Sequence, residues 1–210
     1  MTNSPSRPSG SGTRRQRLHE EQRRVQIITA AVEELADRGY DGLSLTRVAA
    51  RAGVSKGLIW HCFTGKDDLM ESTATATITT IRDQIANSLD LTAPVPDIIR
   101  AALRRAAALG VTQRVEITAL NRITHNLRHP DGTLRLTVGT YEETYPAQEL
   151  LFRRGQAEGT LGGFDTRVMA ITYQGAIDMM LGYLGAHPHI APEDHADKLA
   201  DIPLAGIRRS

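Results

Sequence analysis

The 210-residue sequence predicts an all-α protein, and three observations carry that expectation. From residue 18 onward, apolar residues recur three and four positions apart, the spacing of one helical face. No stretch shows the sustained alternation that a half-buried strand needs. Serine, threonine and aspartate stand ahead of the apolar runs, with glycine or proline behind them, as helix starts and stops require.

Taken in order, Val25, Ile28, Val32 and Leu35 mark the buried face of a first helix ending near Arg38. Gly39 offers a left-handed stop and Tyr40 the apolar contact after it. Ser44 caps a short second helix whose apolar face is Leu45, Val48, Ala49 and Ala52, and Gly53 ends it. Val54 leads to a second N-cap, Ser55, and a third helix. Thr64-Gly65-Lys66-Asp67 has the capping-box form, and Asp67 and Asp68 sit where a helix dipole favours acids. A long fourth helix follows, with Ile78, Ile81, Ile85 and Leu89 expected on its buried side. Pro94 and Pro96 separate it from a helix running to about Leu109. Thr112 opens the next helix, which Pro130-Asp131-Gly132 ends. A longer helical region over about 133–158 is expected to kink at Pro146. Gly162-Gly163 then precedes a helix over about 165–186, and a last one covers about 192–204.

Composition bounds the function classes. Apolar residues make up 40% and charged residues 23%, ordinary for a soluble globular protein, while aromatics at 4% leave core volume to aliphatic side chains. No apolar run reaches membrane-spanning length, and the polar, Pro/Ser/Gly-rich residues 1–13 do not form a signal peptide. The expectation is a cytoplasmic protein with no membrane partner. Its single cysteine, Cys62, excludes an internal disulfide and a cysteine-cluster zinc site. Charge is uneven: residues 1–70 hold 11 Lys/Arg against 8 Asp/Glu, while residues 71–210 hold 14 against 16. Arg14, Arg15, Arg17, Arg23 and Arg24 form a basic arm of the kind a polyanion contact needs, or that a solvated tail carries.

Two short helices joined by a tight glycine-containing turn read as a helix-turn-helix, over about 44–63. Ala49, Ala52 and Gly53 allow a close, steep crossing, and Val54, Ile59 and Phe63 are spaced to anchor the second helix inward. Lys56, Gly57, Leu58, Trp60 and His61 are left on outward or flanking positions. Indole and imidazole N–H groups can donate to phosphate oxygens, and Ser55 opens a helix N-terminus with free amides and a favourable dipole. Gly57 would let the helix lie close to a groove wall.

At this point residues 21–70, EQRRVQIITAAVEELADRGYDGLSLTRVAARAGVSKGLIWHCFTGKDDLM, resemble the DNA-binding domain of the TetR family of transcriptional regulators. The matching positions are Gly39-Tyr40, Ser44, Val48-Ala49, Ala52 to Gly57, Trp60-His61, Phe63, Lys66 and Leu69. The resemblance implies phosphate or base contacts from Ser44, Thr46 and Arg47. It also places Ser55, Lys56, Gly57 and Leu58 toward a major groove, Trp60 and His61 on phosphates, and Lys66 on a further phosphate. Leu58 stands where a hydroxyl or small residue is common, Trp60 where tyrosine is usual, and Cys62 where an aromatic is frequent. Leu58 can meet a thymine methyl but cannot hydrogen-bond. The implied organisation is a disordered basic arm over 1–17, a DNA-binding head over 18–66, and a ligand-binding and dimerisation domain over 67–210. The implied partners are a palindromic DNA operator, a second copy of the chain and a small-molecule effector, with release of DNA by the effector as the mode of repression.

Other features have a sharp and a plain reading. Cys62 is a redox switch or a small buried filler. His125 and His129 share a helical face, but Pro130 follows directly and a third ligand is missing, so no metal is expected; His187 and His189 flank Pro188 in a loop. Tyr141 and Tyr145, like His125, line an effector cavity, or the tyrosines are core. Val168, Gly175 and Gly182 fall seven apart, with Ile171, Met179 and Gly185 beside them, a seam suited to close helix approach in a four-helix dimer interface or to packing within one subunit. The excess of Arg over Lys, 22 to 3, reflects base composition of the source genome. No nucleophile–base pair, phosphate loop or cofactor motif points to an enzyme, and catalytic residues and cofactors are not expected. An architectural DNA binder without an effector is the main alternative, and the 144 residues after the head weigh against it.

Overall fold

The computed structural model describes residues 10–207 and is all-α, with nine α-helices and one 3-10 turn among those residues. The helices are α1 Gly10–Gly42, α2 Leu45–Ala52, α3 Lys56–Cys62, α4 Lys66–Ala86, α5 Val95–Thr112, α6 Arg114–Asn126, α7 Tyr145–Ala157, α8 Thr166–Ala186 and α9 Pro192–Ile207. The 3-10 turn is Val138–Tyr141. Among the described residues the sole β-type pairing is an isolated bridge between Arg128 and Leu134, across the turn at Pro130-Asp131-Gly132. No helix among the described residues is long and apolar enough to cross a membrane.

The helix starts follow the capping chemistry. Ser44 accepts from Arg47 N–H, Ser55 from Leu58 N–H, and Asp165 from Arg167 and Val168 N–H. Gly53 closes α2 in the left-handed region at φ 65°. Gly39 takes φ 78° and breaks the regular winding of α1, and only the last three residues of that helix continue beyond it. An L side chain at that φ is strained, so the break is encoded by glycine.

Several boundaries differ from expectation. Residues 10–17, expected in the arm, are helical backbone in α1, and residues 1–9 of that arm lie outside the described residues. The buried face of α1 is Ile27, Ala30, Ala31, Val32 and Leu35, so Val32 and Leu35 are buried as expected, while Val25 is exposed and Ile28 half-buried; the small alanines allow closer approach than a Val25/Ile28 stripe would. In α4 the buried residues are Leu69, Met70, Thr73, Ala74, Thr77 and Ile81, with Ile78 and Ile85 only half-buried; Leu89, expected on the same face, lies past the helix end at Ala86. The two threonines are tolerated because each hydroxyl donates to the carbonyl one turn back, Thr73 to Leu69 and Thr77 to Thr73. The cap of α4 is Gly65, not a full capping box; Asp68 instead accepts from the backbone N–H and hydroxyl of Thr64 at 2.8 and 3.0 Å. Thr112 is the last residue of α5 and does not open α6, because Gln113 serves as the joint between them. Pro146 stands in the first turn of α7, where its missing N–H costs nothing, and makes no kink.

Two hydrophobic cores result. The head core joins Ile27, Leu35, Val48, Ile59 and Phe63 with Leu69, Met70 and Ala74 of α4, and with Ala119, Ile123 and Leu127 of α6 and its end. The body core joins Val95, Ile99 and Leu103 of α5 with Phe152, Tyr173, Leu181, Leu184 and Leu204. Phe152 meets Tyr173 and Phe164 edge-on at 5.7 and 5.9 Å. Gly155 packs so closely that a Cβ there would sit 2.6 Å from Leu161, which is why α7 carries glycine in its last turns. Both α4 and α6 supply residues to both cores: Ile81 and Ile117 lie in the body, the residues named above in the head.

Candidate nucleic-acid interface

The head presents α3 as a two-turn rod fixed from behind. Ile59 has no exposed surface and Phe63 almost none, and Cys62 is buried beside them. Arg24, on α1, reaches over the Phe63 ring at 4.3 Å, donates to the Cys62 carbonyl and donates to Ser72 Oγ at 3.3 Å. One guanidinium from the basic arm therefore ties the end of α3 to α4. Sequence reasoning had placed Arg24 in the arm's charge and missed this role; a contact 38 positions away leaves no local signal. Gln26 donates to the Ala52 carbonyl at 2.7 Å and so holds the end of α2 to α1. Arg51 clamps α2 to α1 through Glu34, Asp37 and Glu33 at 2.8, 2.7 and 3.3 Å.

With the inner face locked, the outer face carries the residues singled out from sequence. Lys56, Gly57, Trp60 and His61 are exposed, Trp60 at 54%, and Leu58 is half-buried against the head core. Trp60 is the only tryptophan of the chain, and water is a poor place for it unless another surface meets it. A Cβ at Gly57 would meet only Ser55 Oγ, at 3.8 Å, so the wall there is open. Thr46 and Arg47 are exposed at the start of α2, and Arg47 also donates to the Gly42 carbonyl at 2.5 Å. Ser44 and Ser55 each give an oxygen lone pair to their own helix and keep the hydroxyl proton for an outside acceptor.

Lys66 has a different setting. Its ammonium donates to the Tyr40 carbonyl at 2.8 Å and lies 4.5 Å from the Tyr40 ring centroid. It is half-buried and links the first residue of α4 to the end of α1 just past Gly39. Asp68, bonded first of all by the Thr64 backbone, is held below the usual carboxylate range and keeps that corner charged.

The residues assigned to an effector do not come together. Tyr145 is buried in the body core, and Tyr141 packs against it with ring centroids 6.4 Å apart. Tyr141 is hydrogen-bonded to Asp178, which also accepts from Gln174 at 3.0 Å; Gln174 in turn accepts from Gln148 at 2.9 Å. Burial raises both the Tyr141 hydroxyl and the Asp178 carboxyl above their ordinary values. Arg167, paired with Glu142 and Glu149, lies 4.5 Å over the Tyr145 ring. His125 lies elsewhere, in a groove between α6 and α8 whose walls contain neither tyrosine. An i, i+4 spacing within one helix cannot reveal which other helix it will face. No group of three or more His, Cys, Asp or Glu among the described residues is arranged to hold a metal.

The outer side of α8 exposes Val168, Ile171 and Met179 at 62%, 42% and 73%, together with Tyr183. A Cβ at Gly175 or Gly182 would meet nothing within 4 Å. The chain therefore leaves Val168, Ile171, Gly175, Met179 and Gly182 out of its own core, whereas Tyr183 stacks on His187 and His195.

Comparison with known proteins agrees with the head. Residues 27–73 match the model described as bacterial regulatory proteins, tetR family. The HTH-type transcriptional activator FasR of Mycolicibacterium smegmatis is 41% identical over 63 residues, 30% of this chain and 29% of that protein. The HTH-type transcriptional regulator HbdR of Aromatoleum sp. is 32% identical over 109 residues, 51% of this chain and 47% of that one. The chain thus spans less than half the length of these curated relatives. Among solved structures, the fatty acid degradation regulator FadR from Bacillus halodurans superposes with a TM-score of 0.73 over 89% of this chain and 97% of that chain, at 18% identity. A TetR family regulator from Marinobacter aquaeolei gives 0.70 over 92% and 100%, at 14% identity. At such identities the likeness concerns the fold.

Proposed function

Since the chain belongs to the tetR family of bacterial regulatory proteins, we propose that it acts as a homodimeric, ligand-responsive DNA-binding regulator of transcription, working as a repressor in the cytoplasm. The observation that carries this reading is the outer face of α3, where Lys56, Trp60 and His61 stand in water while Ile59 and Phe63 are locked inside. Phosphate is the partner that suits this set: an ammonium, an indole N–H and an imidazole on one side of a short helix, with Ser55 and Gly57 at its leading end. Ser44, Thr46 and Arg47 flank it from α2, and Leu58 offers an apolar edge to a thymine methyl. Lys66 contributes by holding α4 to α1, with its remaining donors available to a backbone phosphate.

The exposed α8 seam of Val168, Ile171, Gly175, Met179 and Gly182 supports pairing of two copies. Two heads held about one helical turn apart would read a palindrome in successive major grooves. Effector binding in the body would act through α4 and α6, since each has one end in either core. It releases DNA only if the ligand binds the released arrangement more tightly. On this reading the chain is a regulator and no enzyme.

The test is selection of duplex DNA by the purified protein, followed by mobility-shift titration of the selected site. Lys56→Ala combined with Trp60→Ala should abolish specific binding. Unchanged affinity in that double variant, or equal affinity for random and palindromic duplexes at matched salt, would overturn the reading.

A further inference from the structure

The groove between α6 and α8 has a chemistry of its own. Its volume is about 410 Å³, within the range of small-molecule sites, and its walls include Arg114, Asn121, Arg122 and His125 from α6 with Leu181 and Gly182 from α8. No residue lining it is acidic. Neither Arg114 nor Arg122 forms an ion pair among the described residues, although most other arginines of the body do. Each uses a guanidinium N–H on a backbone carbonyl, Arg114 on Gly185 at 3.3 Å and Arg122 on Leu35. Four donors remain on each, and the carbonyl bond holds the group in place. His125 bonds the Asn121 carbonyl through Nδ1 at 2.7 Å; a carbonyl only accepts, so Nδ1 carries the proton, and Nε2 can donate to an anion only when the ring is the imidazolium. Ile117 and Leu181 supply an apolar floor.

From this we infer that the α6–α8 groove binds a small amphipathic organic anion, with its carboxylate or phosphate head between Arg114 and Arg122. The site deepens the regulator reading and rests on it for its consequence. Arg122 is also the residue that holds α1: its other bond is to Leu35, one turn before the Gly39 break, and its Nη1 lies 3.9 Å from the position of a Gly39 Cβ. An anion seated on the remaining donors of that guanidinium pulls it toward the groove and so acts, through the Leu35 bond, on the end of α1, which carries the head. The opposite wall includes Gly182 of the exposed α8 seam, so a ligand here also touches the surface proposed for pairing.

The experiment uses the full chain and three probes of equal tail length: octanoate, octyl phosphate and uncharged octanamide. Calorimetric titration should show binding of one or both anions, with octanamide at least roughly tenfold weaker, the scale of one lost charge-assisted hydrogen bond. The two anion arms separate a carboxylate site from a phosphate site. Arg114→Gln and Arg122→Gln should each weaken the anion roughly tenfold or more, and Arg122→Lys should recover part of the loss. If Arg122→Gln fails to fold, Arg114→Gln and the His125 ring resonances, which should shift with the anion, decide the matter. Three results overturn the inference: equal binding of all three probes, no shift of His125 at millimolar anion, or groove resonances that respond to protein dilution and not to anion, which would mean a second copy packs there. DNA selection without any probe tests the regulator reading separately. A protein that selects a palindrome yet ignores the anions refutes the groove alone. One that binds the anions but selects no duplex refutes the regulator reading alone.

Discussion

Helices α3 and α8 both leave side chains in water, and they do so with opposite chemistry. On α3 the exposed set is Lys56, Trp60 and His61, each with a polar donor at the tip of its side chain. On α8 it is Val168, Ile171 and Met179 with open glycines between them. A donor-tipped surface keeps its hydrogen bonds to water until a hydrogen-bond acceptor replaces them. An aliphatic surface with glycine gaps gains only from another aliphatic surface that can come close. The pair teaches that exposure alone does not mark a site; what the exposed atoms can exchange with water decides which partner fits.

Four experiments would break or sharpen this contrast. The largest effect is expected from Ile171→Asp with Met179→Asp, which would bury two carboxylates in a dimer. Sedimentation equilibrium should show self-association weakened by about a thousandfold or more, from several kcal/mol of uncompensated burial. A dimer of unchanged strength would remove α8 from the interface. Next, Ile59→Ala and Trp60→Ala, adjacent on α3, should separate cleanly in urea unfolding. Ile59→Ala should cost about 2–5 kcal/mol of stability as a buried truncation. Trp60→Ala should stay within about 0.5 kcal/mol in stability and appear instead as lost DNA affinity.

Ser55→Ala comes third, with a loss of about 1 kcal/mol as the N-cap bond to Leu58 disappears, read in the same unfolding assay. The smallest effect concerns Asp178 of α8, whose carboxylate is enclosed by Tyr141 and Gln174. Its carboxyl is raised above the ordinary value, burial being the main cause. Below the unfolded-state pKa both states hold the proton and the group is neutral to stability. As pH rises, the unfolded chain releases its proton first, and the folded state is penalised until its own raised pKa is passed. Asp178→Asn should therefore be more stable than the parent at neutral pH, and the gap should close on acidification. A gap that is constant with pH would show that the carboxyl titrates normally.

Much of the head was legible in the sequence because its signals are local. Ser44, Gly53 and Ser55 each act within four residues of themselves, and the fold places them as caps where the pattern asked. The outward setting of Trp60 and His61 followed from the inward spacing of Ile59 and Phe63. The body was less legible because its decisions are long-range. Pro146 can kink a helix or start one, and only the chain before it decides; here it starts α7. Ala119 and Ile123 look like ordinary positions of a body helix, yet they complete the head core, so a boundary drawn at residue 66 cuts through shared packing. Chemistry alone groups His125 with Tyr141 and Tyr145, and the fold turns them toward different neighbours. Lys66 matched a phosphate-contact pattern, but no pattern in the sequence shows that the Tyr40 carbonyl already holds it.

The placement of Trp60 makes the molecule its own spectroscopic reporter. With one indole in the whole chain, and that one on the outer face of α3, ultraviolet-excited emission comes almost wholly from a solvated ring. Its colour should change little when the chain unfolds, since the ring is wet in both states. Docking onto a duplex would strip water from that ring and alter its emission, so the light signal follows complex formation while remaining nearly blind to denaturation.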